Sequence, residues 1–176
     1  MTLFDHIGFE KWSSYTQLKR EIYEQCCPAV KEESLASEYK WLQWYGCRNG
    51  TDIGIHVVPG DLALIDFGQN YYNEMGFRHF GLVLSICVQK ALVIPMTSNP
   101  ETYRRAYDRI ENPEGKRNLY RIGKVEGMDR KSVLFLNDAR YINTARVITI
   151  MAHMDPGEAM FGDIQERLKA IMFPDG

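Results

Sequence analysis

Residues 59–98 read PGDLALIDFGQNYYNEMGFRHFGLVLSICVQKALVIPMTS, and the fold turns on how this stretch is read. The Pro59-Gly60 turn opens an apolar run, Leu62 to Phe67. A polar loop follows, then two more apolar runs, Phe80 to Val88 and Ala91 to Met96. Apolar runs of roughly 4–9 residues between turn signals suit buried strands, because helices need longer periodic patterns. The polar groups gather where these strands end, in Asn70 to His79 and at Thr97-Ser98. Loops held by a rigid sheet are the usual address of chemistry.

On the N-terminal side the periodicity is helical. Residues 9–26 place Trp12, Tyr15, Leu18, Ile22 and Cys26 at spacings of 3 or 4, an amphipathic helix that Pro28 stops. A second helical pattern, Ala29 to Tyr45, carries Val30, Leu35, Tyr39, Leu42 and Tyr45, and Gly46 with the Arg48-Asn49-Gly50 turn closes it. All three tryptophans (Trp12, Trp41, Trp44) fall in this segment. An aromatic stripe at helical spacing is expected to be core, here gluing a helical hairpin to the sheet.

On the C-terminal side, strands are expected near 54–58, 61–67, 80–88 and 91–97, then at 119–123 and 132–136, with a last one at 146–150. The polar stretch 99–118 holds Asn-Pro at 99–100 and 112–113, with a short helix expected over Tyr103 to Ile110. Its basic residues (Arg104, Arg105, Arg109, Lys116, Arg117) are offset by Glu101, Asp108, Glu111 and Glu114. That pattern reads as a solvated charged loop, with RNA contact as the alternative. A final helix over 155–173 sets Met160, Ile164, Leu168, Ile171 and Met172 on one face. Short strands, one long loop and flanking helices argue for an α+β fold, a small, strongly bent antiparallel barrel. Residues 1–50 are expected as a helical extension packed on it, and 51–176 as the barrel domain.

Composition narrows the function classes. At 176 residues there is chain enough for one substantial core. A net charge of −2 carries no global basic field, though a local basic surface remains compatible with it. Cys26, Cys27, Cys47 and Cys87 form no CxxC pair and have no histidine at metal-ligand spacing, so reduced thiols in a cytoplasmic protein are expected. The N-terminus lacks a basic segment followed by an apolar one, and no apolar run approaches membrane-spanning length. Neither export nor a membrane span is expected.

The spaced residues resemble the MazF/PemK toxin family. The likeness rests on Gly60-Asp61, Asp66-Phe67-Gly68, Glu74, Arg78, the run from Gly81 to Leu84, and Val93-Ile94-Pro95-Met96-Thr97-Ser98. Lys131-Ser132-Val133 through Asn137, with Arg140, Ile142 and Arg146, resemble its later strand and dimer-side segment. The resemblance covers roughly 57–150 and leaves 1–50 outside. It implies an SH3-like, CcdB-like barrel and a homodimer that cuts single-stranded RNA without metal or cofactor. It also implies a separate antitoxin protein that blocks the RNA groove. The family's catalytic arginine falls on Arg78 and its catalytic threonine on Thr97. The chain departs where the family follows its arginine with proline, since His79 stands there. A branch of the family is similar to Phe77-Arg78-His79 in its aromatic, one residue, then histidine. The chain also has Asn137-Asp138 where the family often has Glu-Gln.

Metal-free RNA cleavage uses the 2′-hydroxyl as internal nucleophile. It needs a base, an acid for the departing 5′-oxygen, and donors for the charge on phosphorus. Arginine gives planar, bidentate hydrogen bonds to phosphate and keeps its charge, so Arg78 fits charge stabilisation. Histidine carries protons at cellular pH, so His79 fits acid–base work, and Thr97 fits hydrogen bonding to the scissile phosphate. Neighbours on an extended segment point to opposite faces, so Arg78 and His79 share a site only if the chain bends there. Asn70, Glu74, Ser98 and Arg140 are candidates for reading single-stranded RNA, and Tyr71 and Tyr72 for stacking on bases. His6, His56 and His153 join no constellation. The competing reading is a non-catalytic CcdB-like protein that poisons a gyrase-type target by contact, or an inactive relative.

Overall fold

The structure is a computed structural model that describes residues 9–108 and 110–174. Two helices lead, α1 (Phe9–Gln25) and α2 (Pro28–Trp44). Pro28 opens α2, where its fixed φ suits the first turn and its missing N–H costs nothing. Eight strands follow: β1 (Asp61–Asp66), β2 (Arg78–Cys87), β3 (Lys90–Thr97), β4 (Ala106–Tyr107), β5 (Lys116–Gly123), β6 (Ser132–Phe135), β7 (Arg140–Asn143) and β8 (Val147–His153). A short helix α3 (Pro100–Arg105) precedes β4, and α4 (Ala159–Met172) closes the chain. No helix among the described residues is long and apolar enough to cross a membrane.

The strands form one sheet in the order β4-β5-β6-β3-β2-β1-β8. β3 is the fork: its first half pairs with β7 and its last two residues with β6. The architecture is α+β, as expected, but the path of pairings is open. The barrel expected from sequence is not closed among the described strands, because β4 has only two residues and pairs on one side alone. Nor is every pair antiparallel, since β4 runs parallel to β5.

The sheet is buried on both faces, which is why its strands read as near-continuous apolar runs. One face sets Leu62, Leu82, Ile94, Met96 and Leu134 against Phe161, Ile164 and Leu168 of α4. The other packs Ala63, Ile65, Val83, Val93, Ile142 and Val147 together. On α4 the inward face runs through Phe161, Ile164 and Leu168. Met160 and Met172, expected on it, are exposed. At the start of β1 the chain turns at Gly60, whose φ of +95° and carbonyl neighbour exclude a side chain. An added Cβ would lie 2.2 Å from the Met154 oxygen.

Three further expectations are corrected. Residues 54–58 form no strand, because β1 already has β2 and β8 on its two edges. Ile55 and Val57 pack on the core without joining a ladder. The helix expected over Tyr103 to Ile110 begins earlier, at Pro100, because the Asn99 side chain caps the N–H groups of Glu101 and Thr102. The tryptophans are not core: Trp12, Trp41 and Trp44 are 58%, 61% and 41% exposed. The side of α2 turned to the sheet is polar instead.

Candidate functional site

Arg78 and His79 open β2, and Thr97 ends the adjacent β3. In the β1–β2 register Asp66 faces Arg78 and Ile65 faces His79. The two residues are therefore successive strand positions whose side chains leave opposite faces, and no bend intervenes between them. The distortion comes one residue earlier, at Phe77, with φ of +54°. Such a conformation costs roughly 1–3 kcal/mol in a non-glycine residue and persists only where its surroundings hold it. Here the Phe77 N–H donates to Gly68 O at 2.7 Å, and Phe77 O accepts from Phe67 N at 2.8 Å.

Phe80 pairs with Met96, so one step further along the same register brings Thr97 beside His79. On its other side Thr97 pairs with Val133 of β6. Its hydroxyl oxygen accepts from the Asn99 N–H at 3.2 Å. Thr97 and Ser98 line an open groove of about 340 Å³ with Phe80, Met128, Arg130 and Ser132. Arg78 lines a different depression, of about 360 Å³, beneath α2 with Ser37, Lys40 and Asp66. Arg78, His79 and Thr97 thus stand at one end of adjacent strands, with Arg78 on the opposite face of β2 from His79 and the groove at Thr97 separate from the depression at Arg78.

Helix α2 reaches this strand end through residues that sequence reasoning passed over. Glu33, Ser37 and Lys40 recur at helical spacing and face the sheet. The Glu33 carboxylate accepts from Arg78 Nε at 2.7 Å and from Nη2 at 2.5 Å, a bidentate pair. The Ser37 hydroxyl donates to buried Asp66 at 2.9 Å, and Lys40 Nζ donates to the carbonyls of Arg146 and Val147 at 2.8 and 3.3 Å. Ser34 and Ser37 are buried, and their small size lets the helix come close. The Arg78 guanidinium holds the Glu33 carboxyl below its usual range, with the His79 charge acting in the same direction. Burial pulls the His79 imidazole below its ordinary value, partly countered by the Glu33 charge. Burial lowers Lys40 to about 8.

The remaining candidates, Ser98 apart, gather on the β1–β2 loop. The Asn70 amide donates to the carbonyls of Tyr71 and Glu74 at 3.0 and 2.8 Å, and the Glu74 carboxylate accepts from the Tyr71 N–H at 3.2 Å. Arg140 donates to the Met75 carbonyl and lies over the Phe67 ring at 5.2 Å. Burial pushes the nearby Asp138 carboxyl up, against the pull of Arg140. Tyr71 and Tyr72 are exposed at the loop tip. Of the unassigned histidines, His153 pairs with Asp61 at 3.0 Å, and His6 lies outside the described residues. Among the described residues no three His, Cys, Asp or Glu side chains converge as a metal-binding group.

No family model matches the chain, and no curated protein matches it. Solved structures are similar to it. MazF from Deinococcus radiodurans is 15% identical with a TM-score of 0.49, covering 67% of this chain and 97% of that one. The MazE-MazF structure from the same organism is 16% identical with a TM-score of 0.45, covering 68% and 97%. The Mycobacterium tuberculosis toxin MazF-mt6 is 11% identical with a TM-score of 0.43, covering 66% and 99%.

Proposed function

We propose that this chain is the toxin of a toxin–antitoxin system, a metal-independent endoribonuclease that cuts single-stranded RNA by 2′-hydroxyl attack. One observation carries the reading. The residues assigned from the sequence resemblance stand at one end of adjacent strands, Arg78 and His79 opening β2 and Thr97 closing β3, with Arg78 on the opposite face of β2 from His79. Arg78 offers charged donors to the phosphorane, His79 carries a proton, and Thr97 hydrogen-bonds the scissile phosphate. Asn70, Glu74, Ser98 and Arg140 contact the flanking nucleotides. In this reading the protein works as a cytoplasmic homodimer restrained by a cognate antitoxin. Residues 1–50 are a helical extension on the sheet domain 51–176, whose bent sheet is of the SH3-like barrel type.

The test is cleavage itself. Purified protein is incubated with a long single-stranded RNA in excess chelator, and the new ends are mapped. Discrete cuts that leave 2′,3′-cyclic phosphate and vanish in Thr97→Ala are the expected result. A folded protein that cuts none of several diverse RNAs would overturn it in favour of a binding toxin.

A further inference from the structure

Helix α1 buries no residue between Lys11 and Gln25, where every position is exposed or intermediate. It is tied to the rest of the chain by polar contacts. Lys19 pairs with Glu38, the Tyr23 hydroxyl donates to the Glu38 carboxylate at 3.0 Å, and the Gln69 amide donates to the Tyr23 hydroxyl at 3.2 Å. A 17-residue helix without alanine is marginal in water by itself, and helices in proteins draw most of their stability from burying an apolar face.

That face exists on α1 and points outward. Trp12, Tyr15, Leu18 and Ile22 recur at helical spacing and are 48–58% exposed. On α2, Leu35, Tyr39 and Leu42 form a second stripe at 45–64% exposure. Lys19 lies one turn from Tyr15 and from Ile22, and Glu38 one turn from Leu35 and from Leu42. Both stripes therefore border the Lys19–Glu38 contact.

The order of residues along α1 says what covers it. The N-terminal half of the stripe is aromatic, Trp12 and Tyr15, and the C-terminal half is aliphatic, Leu18 and Ile22. Laid antiparallel on a second α1, the stripe is complementary to itself. Trp12 meets Ile22 of the partner subunit and Tyr15 meets Leu18 of the partner subunit, and the twofold axis repeats both layers. Large side chains then face small ones, which is how facing layers fill space, whereas a parallel pairing sets ring on ring. The area is sufficient. With about half of each side chain available, the two stripes offer about 700 Å² per copy, and a pair of copies buries about 1,400 Å², within the range of stable interfaces. The polar positions of α1 carry both signs, Lys11 and Arg20 with Glu21 and Glu24, which suits neither a nucleic acid nor an anionic membrane.

We infer that the N-terminal hairpin is a self-association surface, on which α1 packs antiparallel against α1 of a second copy and the α2 stripes flank the contact. Of the tryptophans only Trp12 enters it. This surface is separate from the sheet-side segment 131–146, so a chain that also pairs through the sheet assembles beyond two copies.

The experiment is sedimentation equilibrium of the full chain from about 1 to about 100 µM, where interfaces of this size associate. Leu18→Glu puts an unpaired charge into two layers and is expected to weaken association by at least about 10²-fold, so that the wild type is heavier than the variant. Tyr15→Lys is expected to do the same. An equimolar mixture of the two variants is expected to regain mass, because the antiparallel register sets the new ammonium against the new carboxylate in one layer and leaves the other layer native. A misfolded variant is not rescued by mixing, so regained mass also excludes misfolding. Ser13→Glu adds the same charge on the opposite side of α1 and is expected to keep the wild-type mass. Wild type that matches Leu18→Glu in mass throughout this range overturns the inference and leaves the stripe to a different protein. So does a mixture no heavier than its components, or a Ser13→Glu effect equal to that of Leu18→Glu.

Discussion

Asp66 is a carboxylate buried at the end of β1, tolerable there because hydrogen bonds replace its water. Its Oδ1 accepts from Ser37 at 2.9 Å and from the Gly68 N–H at 3.0 Å. Ser37→Ala removes one donor from a buried charge and is expected to cost about 1–3 kcal/mol of unfolding free energy, read by urea titration. Lys40 sits at the same contact with its value lowered from 10.5 to about 8, chiefly by burial. The unfolded chain therefore binds more protons than the folded one between those values, so stability rises with pH across that window. Lys40→Met removes that rise, and parallel melts of wild type and variant from below 8 to above 10 will show whether the slope belongs to this side chain. These pairings were not legible in the sequence. Ser37 and Asp66 lie 29 positions apart, and a lone serine in a helix has no spacing that announces a buried partner.

Among the elements, the buried strands were the readable part. β1, β2 and β3 sit where their apolar runs stand, whereas β4 and β7 are two and four residues long and carry too little pattern to be seen. The periodicity of α1 and α2 was read correctly, but the side facing inward was not. Amphipathicity predicts that the apolar stripe goes in. The sheet end under α2 offers Asp66 and Arg78, so the helix answers with Glu33, Ser37 and Lys40. Because all tryptophans lie on these helices at 41–61% exposure, the native emission is expected to be red-shifted and strongly quenched by acrylamide. A blue-shifted, shielded spectrum would contradict the outward orientation. Helix α4 is the opposite case, seated by fully buried Phe161 and Ile164. Phe161→Ala should cost about 3–5 kcal/mol by denaturant unfolding.

For the molecule as a whole, if the proposed reading holds, a net charge of −2 means that RNA is held by local charges rather than by a general field. On the proposed reading, the logarithm of the affinity of the Thr97→Ala protein for RNA falls with that of salt by about 0.7 per phosphate contacted. Arg78→Ala should reduce that slope by about 0.7, and an unchanged slope would remove Arg78 from the phosphate contacts. The sheet half of the candidate site was legible as spaced residues in one stretch, from Arg78 to Thr97. The helical half was not, because Glu33 meets Arg78 across 45 positions and belongs to no local motif.

The fork at β3 bears on how the chain comes off the ribosome. β3 ends at Thr97, but β6 begins only at Ser132, and β8, the outer neighbour of β1, ends at His153. At a synthesis rate of about 5–20 residues per second, β3 waits several seconds with β2 alone for a neighbour. The central strands are thus translated early and completed late. During that interval their apolar faces are open to chaperones and to other nascent chains. The end of β3 at Thr97 therefore stays without its β6 neighbour until the ribosome has passed residue 132.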